Sequence, residues 1–282
     1  MILVTTATGQ VGGALVRALS RQGHACRALV RAGKAAIDLP HVETVRGDFR
    51  DAASLDAAMA GVSRLYLACS PAPNQAELEG LVMTAAERNG VRHVVKLSAY
   101  DAHDANPSDF RRWNGVAERH LRASGLAWTI LRPTAFHQAV DAAAIAARGE
   151  LLSPQGDAAS PFIDARDIAE VAAAVLTGEG HTGRIYDITG PEALTQKDVA
   201  ALIAEVFGRP VACRAVSDAE ALAGLLAGGM DLAFARSMIA HYQAYRARPA
   251  TLISGWTEIL TGTPPRPLRV YVEECARAAG IG

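Results

Sequence analysis

The sequence predicts an α/β protein: a doubly wound parallel sheet with helices on both faces, followed by a smaller, mostly helical C-terminal lobe. Three observations predict it. Short apolar runs alternate with amphipathic stretches through the first half, the pattern of strands joined by crossover helices. A glycine-bearing turn separates the first run from the first amphipathic stretch. After Pro133 the alternation loosens into longer helical patterns.

Each element follows from local pattern. Ile2–Thr5 is a first apolar strand, and 11–22 is helical with Val11, Ala14, Leu15, Ala18 and Leu19 on one stripe. Strands are expected at 25–30, 42–46, 64–68, 92–97 and 127–131, with helices at 52–60, 74–88 and 109–123 between them. Gly23, Gly90 and Gly125 stand where left-handed helix caps are expected. Beyond Pro133, 135–148 and 164–176 read as helices, the second opening on Asp164 as N-cap. A strand is expected at Gly183–Thr189, a helix at 195–207 and a short strand at 211–215; the remainder reads as helical, broken at Pro249 and at 264–267. The expected organisation is a core at 1–133 and a lobe at 134–282, interleaved because the strand at 183–189 returns to the sheet.

Half of the 282 residues are apolar and a fifth are charged, as in a compact globule. With 28 basic residues against 29 acidic, there is no electrostatic footprint for nucleic acid. No apolar run is long enough to cross a bilayer, and the opening Met1-Ile2-Leu3-Val4 lacks a signal-peptide pattern, so a cytoplasmic protein is expected. Cys26, Cys69, Cys213 and Cys275 form no paired motif, which points away from a disulfide framework or a metal site. Cys26 and Cys69 fall in strand-like runs, where buried structural thiols are expected.

Thr5-Thr6-Ala7-Thr8-Gly9-Gln10-Val11-Gly12 carries the chemistry. A tight turn from strand into helix brings backbone N–H groups to a pyrophosphate at the positive end of the helix dipole. Gly9 permits close approach, and Gly12 lets the helix pack on the sheet, as in a Rossmann-type dinucleotide site. The turn assigns Thr6, Thr8, Gly9, Gln10, Val11 and Gly12 to a nicotinamide cofactor. An NAD site places an acid at the end of the second strand. Here the chain reads Arg27-Ala-Leu-Val-Arg31-Ala-Gly-Lys34, with no acid before Asp38. Arg31 and Lys34 can clasp a 2′-phosphate, which favours NADP(H) over NAD(H); the alternative is a pair of solvated surface charges.

The ordered series formed by this turn, Gly47-Asp48, Leu97-Ser98, 121–136, Pro161–Ala169 and Tyr186-Asp-Ile-Thr-Gly-Pro191 resembles the NmrA-like atypical short-chain dehydrogenase/reductases, over residues 2 to about 215. That family includes quinone reductases, dye reductases and cofactor-sensing regulators that bind NADP without turning it over. The resemblance implies that Asp48 and Phe49 flank the adenine, that Ala68-Cys69-Ser70 passes under the cofactor with Ser98 also beside it, and that Arg132–Phe136, with Pro133 and Phe136, lies by the nicotinamide. A loop-capping carboxylate is the alternative for Asp48, and plain core for Phe49.

Two features depart from the family. Thr6 stands where glycine is usual. The wider superfamily's Tyr-x-x-x-Lys pair falls on Phe110 and Asn114, counting back from Glu118. Phenylalanine has no proton to give, and asparagine cannot lower a phenol's pKa by charge. Ser98, Tyr100 and Asn114 are therefore the catalytic candidates, and Tyr100 does not have the spacing of the usual acid. Trp113, His137, Phe162 and Trp256 are candidates for a substrate pocket, His137 as a proton donor; core packing is the alternative for the aromatic residues, and a structural or exposed histidine for His137. The expected function is NADPH-dependent reduction of a quinone, an enone or another electrophilic small molecule. A non-catalytic NADP sensor is the second reading, and an isomerase or dehydratase with bound cofactor the third.

Overall fold

A computed structural model describes residues 1–281. In chain order its core elements are β1 (Ile2–Val4), α1 (Gln10–Arg21), β2 (Cys26–Val30), β3 (Val42–Arg46), α2 (Ala52–Met59), β4 (Arg64–Leu67), α3 (Gln75–Arg88), β5 (His93–Leu97), α4 (Asp109–Ala123) and β6 (Ala127–Pro133). Then come α5 (Ala142–Arg148), β7 (Glu150–Ser153), α6 (Ala165–Thr177), β8 (Arg184–Ile188), α7 (Gln196–Phe207), β9 (Ala212–Ala215), α8 (Asp218–Ala227), α9 (Leu232–Ala247), α10 (Trp256–Thr261) and α11 (Leu268–Ala278).

Seven parallel strands form the main sheet in the order β3-β2-β1-β4-β5-β6-β8. Side chains alternate between its faces. Ile2 and Val4 point into a core with α1 and α6, whereas Leu3 points into the opposite core with α2, α3 and α4. The strand order reverses between β1 and β4, so the loops at their carboxyl ends diverge and leave a crevice there. The strand expected at 183–189 is β8, paired in register with β6 from Thr129↔Arg184 to Pro133↔Ile188.

A third apolar cluster, including Ile145, Phe162, Ile203, Phe207 and Val272, joins α5, α7 and α11 beyond the sheet. Several expectations about this half are corrected. Residues 135–148 are not one helix: a 3-10 turn at His137–Ala139 precedes α5, whose N-cap Asp141 accepts from the Ala144 amide. Glu150–Ser153, which no sequence pattern marks, pairs in parallel with β9. A strand this short takes its identity from its partner more than from its own pattern. Gly23 and Gly90 adopt positive φ, but Gly125 does not; there Ser124 ends α4, donating to the Leu121 carbonyl and accepting from the Leu126 amide. Among the described residues no helix is long and apolar enough to cross a membrane.

Candidate functional site: the crevice at the carboxyl ends of the strands

The turn after β1 is drawn tight by two contacts. Thr5 Oγ1 accepts from the Ala68 amide at 2.9 Å and lies 3.0 Å from the Tyr66 carbonyl, tying the turn to the end of β4. Gly12 sits so close beneath the turn that a Cβ there would lie 2.3 Å from the Thr6 carbonyl oxygen and 3.0 Å from that of Thr5. Thr6 takes the left-handed conformation (φ 47°) that glycine adopts most easily, so threonine here carries a backbone cost rather than a different loop path. Gly9 has φ −83° and is exposed; its value lies in the open approach rather than in a positive φ. No side chain caps α1 and no acid stands in its first turn. The amides of Gln10, Val11 and Gly12 have no acceptor among the described residues. This set suits a pyrophosphate.

At the end of β2, Arg31 and Lys34 are exposed and have no ion-pair partner among the described residues. Arg46 donates to the carbonyls of both, folding their loop over the end of β3. Asp48 Oδ1 accepts from the Arg50 amide at 2.8 Å, so this carboxylate does cap its own loop, while Phe49 packs half-buried on the lower core.

Beside the turn lies a cavity of about 510 Å³, a volume typical of small-molecule sites. Its floor is formed by Gln10, Cys69, Leu97 and Ser98, and one wall by Pro133 to Phe136 after β6. Phe110, Arg111 and Asn114 of α4 form another wall together with Phe234, Met238, His241 and Tyr245 of α9. Phe110 holds this wall together by edge contacts with Phe234 and His241, ring centroids 5.3 and 5.5 Å apart.

Beneath the floor is a fully buried ion pair, Lys96 Nζ to Glu79 Oε2 at 2.7 Å. Lys96 also donates to Asn114 Oδ1 at 3.2 Å and to the Leu97 carbonyl; Gln75 Nε2 donates to Asn114 Oδ1 at 3.0 Å. Asn114 in turn donates to the Phe110 carbonyl. Position 114 thus receives an ammonium from β5. A second buried network joins Ser98 Oγ to Glu118 Oε1 at 2.5 Å, with Arg132 forked on the same carboxylate at 2.9 and 2.6 Å.

The geometry agrees with comparison to known proteins. Residues 6–179 match the model of a family described as NAD(P)H-binding. The chain belongs to that family. It is a member of the NmrA-like, atypical short-chain dehydrogenase/reductase group and an NAD(P)H-dependent oxidoreductase. It is 34% identical to an NAD(P)H azoreductase of Xenophilus azovorans, over all of this chain and 99% of that one. It is also 34% identical to a (4-alkanoyl-5-oxo-2,5-dihydrofuran-3-yl)methyl phosphate reductase of Streptomyces griseus, over 99% of each. The NADPH-dependent quinone oxidoreductase of Escherichia coli, solved with NADPH, superposes with a TM-score of 0.87 at 25% identity, covering 97% of this chain and 99% of that one.

Measured against this NAD(P)H-binding family, the site gathers Gln10, Cys69, Ser98, Tyr100, Asn114, Pro133 and Phe136 around one cavity. Thr8 and Gly9 are exposed at the turn, Val11 is buried in α1, Ala68 is buried at the end of β4 and Ser70 is exposed beyond it. Cys69 is past the strand, half-buried and on the cavity floor, not a core thiol; burial, with Glu79 adding, pushes it up to about 11 and keeps it a neutral thiol.

The four pocket candidates do not line the cavity. His137 is fully buried with Nε2 3.0 Å from the Phe162 carbonyl and Nδ1 3.6 Å from Asp164, so it is structural and cannot reach a substrate. Phe162 belongs to the lobe's core. Trp256 opens α10 and lies against Tyr186, 4.9 Å between centroids, on the far side of β8. Trp113 supports Phe110 from behind at 5.4 Å. Trp113, His137 and Phe162 are drawn to packing by their apolar area, whereas Trp256 stays exposed. The sequence reading missed the α9 wall, Arg111, and Lys96 with Glu79. Lys96 did carry a signal: a lysine inside His93-Val-Val-Lys-Leu97, on a strand buried on both faces, requires a buried partner.

Proposed function

We propose that the protein binds NADPH in preference to NADH and passes hydride to a flat electrophilic acceptor, a quinone, an activated enone or an azo compound, held in the cavity. The observation that carries this reading is the cavity itself: apolar, lying directly beside the glycine turn, and lined by Phe110 where the superfamily has its tyrosine. A reduced nicotinamide bound there supplies the hydride. The residues around it bind, orient and exclude water, which suffices for acceptors already activated toward hydride.

In this reading Gln10 to Gly12 hold the pyrophosphate, Arg31 and Lys34 the 2′-phosphate, and Asp48 and Phe49 border the adenine. Ala68 to Ser70 pass beneath the cofactor, and Pro133 and Phe136 border the nicotinamide. Ser98 donates to Glu118, and Asn114 is held by Lys96, Gln75 and the Phe110 carbonyl, so both position the floor rather than donate protons. Tyr100 lines the cavity, and burial, then the nearby Asp187, raises its phenol; it stays protonated and is the donor available to a reduced product. Residues 1–133 then serve the cofactor and 134–282 mostly the acceptor.

The relatives support the acceptor class by the azoreductase, furanone-phosphate reductase and quinone oxidoreductase activities in their names. The test is NADPH oxidation followed at 340 nm with menadione, an azo dye and an enone, each repeated with NADH. Turnover with at least one, faster with NADPH at low cofactor concentration, is expected. Tight NADPH binding without oxidation by any acceptor would refute the reductase reading in favour of a sensor.

A further inference from the structure

Arg111 is unusual for a residue in an apolar cavity. It is 3% exposed, yet its only side-chain partner among the described residues is Asp101, with Nη1 3.5 Å from Oδ2, at the outer limit of a hydrogen bond. Its other guanidinium nitrogens make no hydrogen bond, and none is wholly occluded. In a side chain this buried, the surface left open is the surface facing the cavity it lines. The guanidinium lies 4.8 Å from the centre of the Tyr245 ring, which fixes its plane and offsets part of the cost of burying the charge. Asp101 is shared with Asn106, whose Nδ2 is 3.3 Å from the same oxygen.

Arg111 carries the only formal charge among the residues lining the cavity; no aspartate or glutamate faces it there. His241, the other basic side chain on that wall, bonds Ser108 Oγ at 2.9 Å and is held down to about 4 by burial and by Arg111, so it is neutral near pH 7. An under-paired buried cation is costly unless an anion completes it.

We propose that the cavity selects acceptors bearing an anionic oxygen group, a carboxylate, sulfonate or phosphate, and that Arg111 binds that group as a forked donor. The fork suits such groups in geometry as well as charge. The apolar remainder of the cavity takes the aromatic or conjugated body, and the anion sets which end lies toward α4 and α9. This rests on the cavity being the acceptor site.

The test is calorimetric titration of naphthalene-2-sulfonate and its neutral counterpart naphthalene-2-sulfonamide into protein saturated with NADP+, so that the glycine turn cannot take the sulfonate. The sulfonate is expected to bind about tenfold or more tightly than the sulfonamide, the scale of a charge-assisted hydrogen bond. Arg111→Met, which keeps an unbranched side chain without the charge, should abolish that preference. Asp101→Asn removes the competing carboxylate and tolerates the left-handed backbone of position 101 (φ 58°), so it should strengthen the preference. A general loss of structure cannot produce this opposite sign. Equal affinities in the parent protein, or a sulfonate preference that survives Arg111→Met, would overturn the inference. If Arg111→Met fails to fold, an unchanged or weakened preference in Asp101→Asn does so. A parallel kinetic arm compares 1,4-naphthoquinone-2-sulfonate with menadione. Arg111-dependent sulfonate binding without NADPH oxidation would refute the reductase reading alone; oxidation of both quinones with no dependence on Arg111 would refute this inference alone.

Discussion

Replacing Lys96 by methionine should destabilise the fold in a way that depends on pH. Lys96 and Glu79 are both fully buried and 2.7 Å apart, so the substitution strands a carboxylate beneath the cavity floor. Breaking a buried pair from one side costs about 3–5 kcal/mol. The stranded group has a cheaper escape, which is to take a proton. For a glutamate titrating near ~4.3 in the unfolded chain, protonation at pH 7 costs about 3.7 kcal/mol, and that caps the electrostatic share of the loss. The sign follows from linkage: the folded variant holds a proton that the unfolded chain releases above ~4.3, so its stability falls as pH rises. The deficit relative to the parent should grow by about 1.4 kcal/mol per pH unit between roughly pH 5 and 7. Urea unfolding followed by circular dichroism at three pH values measures this. Adding Glu79→Leu to Lys96→Met should recover most of the loss, because an apolar pair of similar volume leaves no buried charge. A deficit below about 1 kcal/mol at pH 7, or one that does not change with pH, would refute the reasoning.

Arg31→Ala should weaken NADPH binding about tenfold or more while sparing NADH, given a charge-assisted contact of roughly 1.5–3 kcal/mol; parallel fluorescence titrations read the difference, and equal losses would remove Arg31 from the 2′-phosphate. Gly12→Ala must push α1 away from the turn, since its Cβ would meet backbone at 2.3 Å; NADPH binding should be lost, with about 1–3 kcal/mol of stability, and a variant that binds normally would argue against the turn as phosphate site. Phe110→Tyr combined with Asn114→Lys should add little to quinone reduction, whereas Tyr100→Phe should slow any acceptor that needs a proton by about 10²–10⁴-fold; steady-state rates with NADPH affinity measured alongside separate these effects. His241, held at about 4 against 6.5 in the unfolded chain, lets the unfolded state bind more protons between those values. Stability should therefore rise with pH across that window by up to about 3 kcal/mol, and His241→Gln should flatten the slope.

Features that depend on neighbours along the chain were legible before any folding is considered. Alternating apolar strands and amphipathic helices allow few connections besides a doubly wound sheet. The Thr5–Gly12 turn can be read because strand, glycine spacing and helix start all lie within residues 2–12. Phe110 and Asn114, four residues apart on α4, were equally visible as neighbours, because one helix fixes that spacing.

What surrounds the cavity came from segments far apart in the chain, which only packing brings together. α9 contributes Phe234 and His241 from more than a hundred residues beyond Phe110, with no sequence pattern marking the approach. An aromatic residue in a lobe is apolar area before it is anything else. Whether it faces a cavity or a core depends on which helices meet, so Phe162 and Trp256 went inward or aside while Phe110 lines the cavity. Charge behaves the same way. Lys96 announces by its strand that it needs a partner, but Glu79 as that partner, and the near-absence of one for Arg111, exist only once α3, α4 and β5 have packed together.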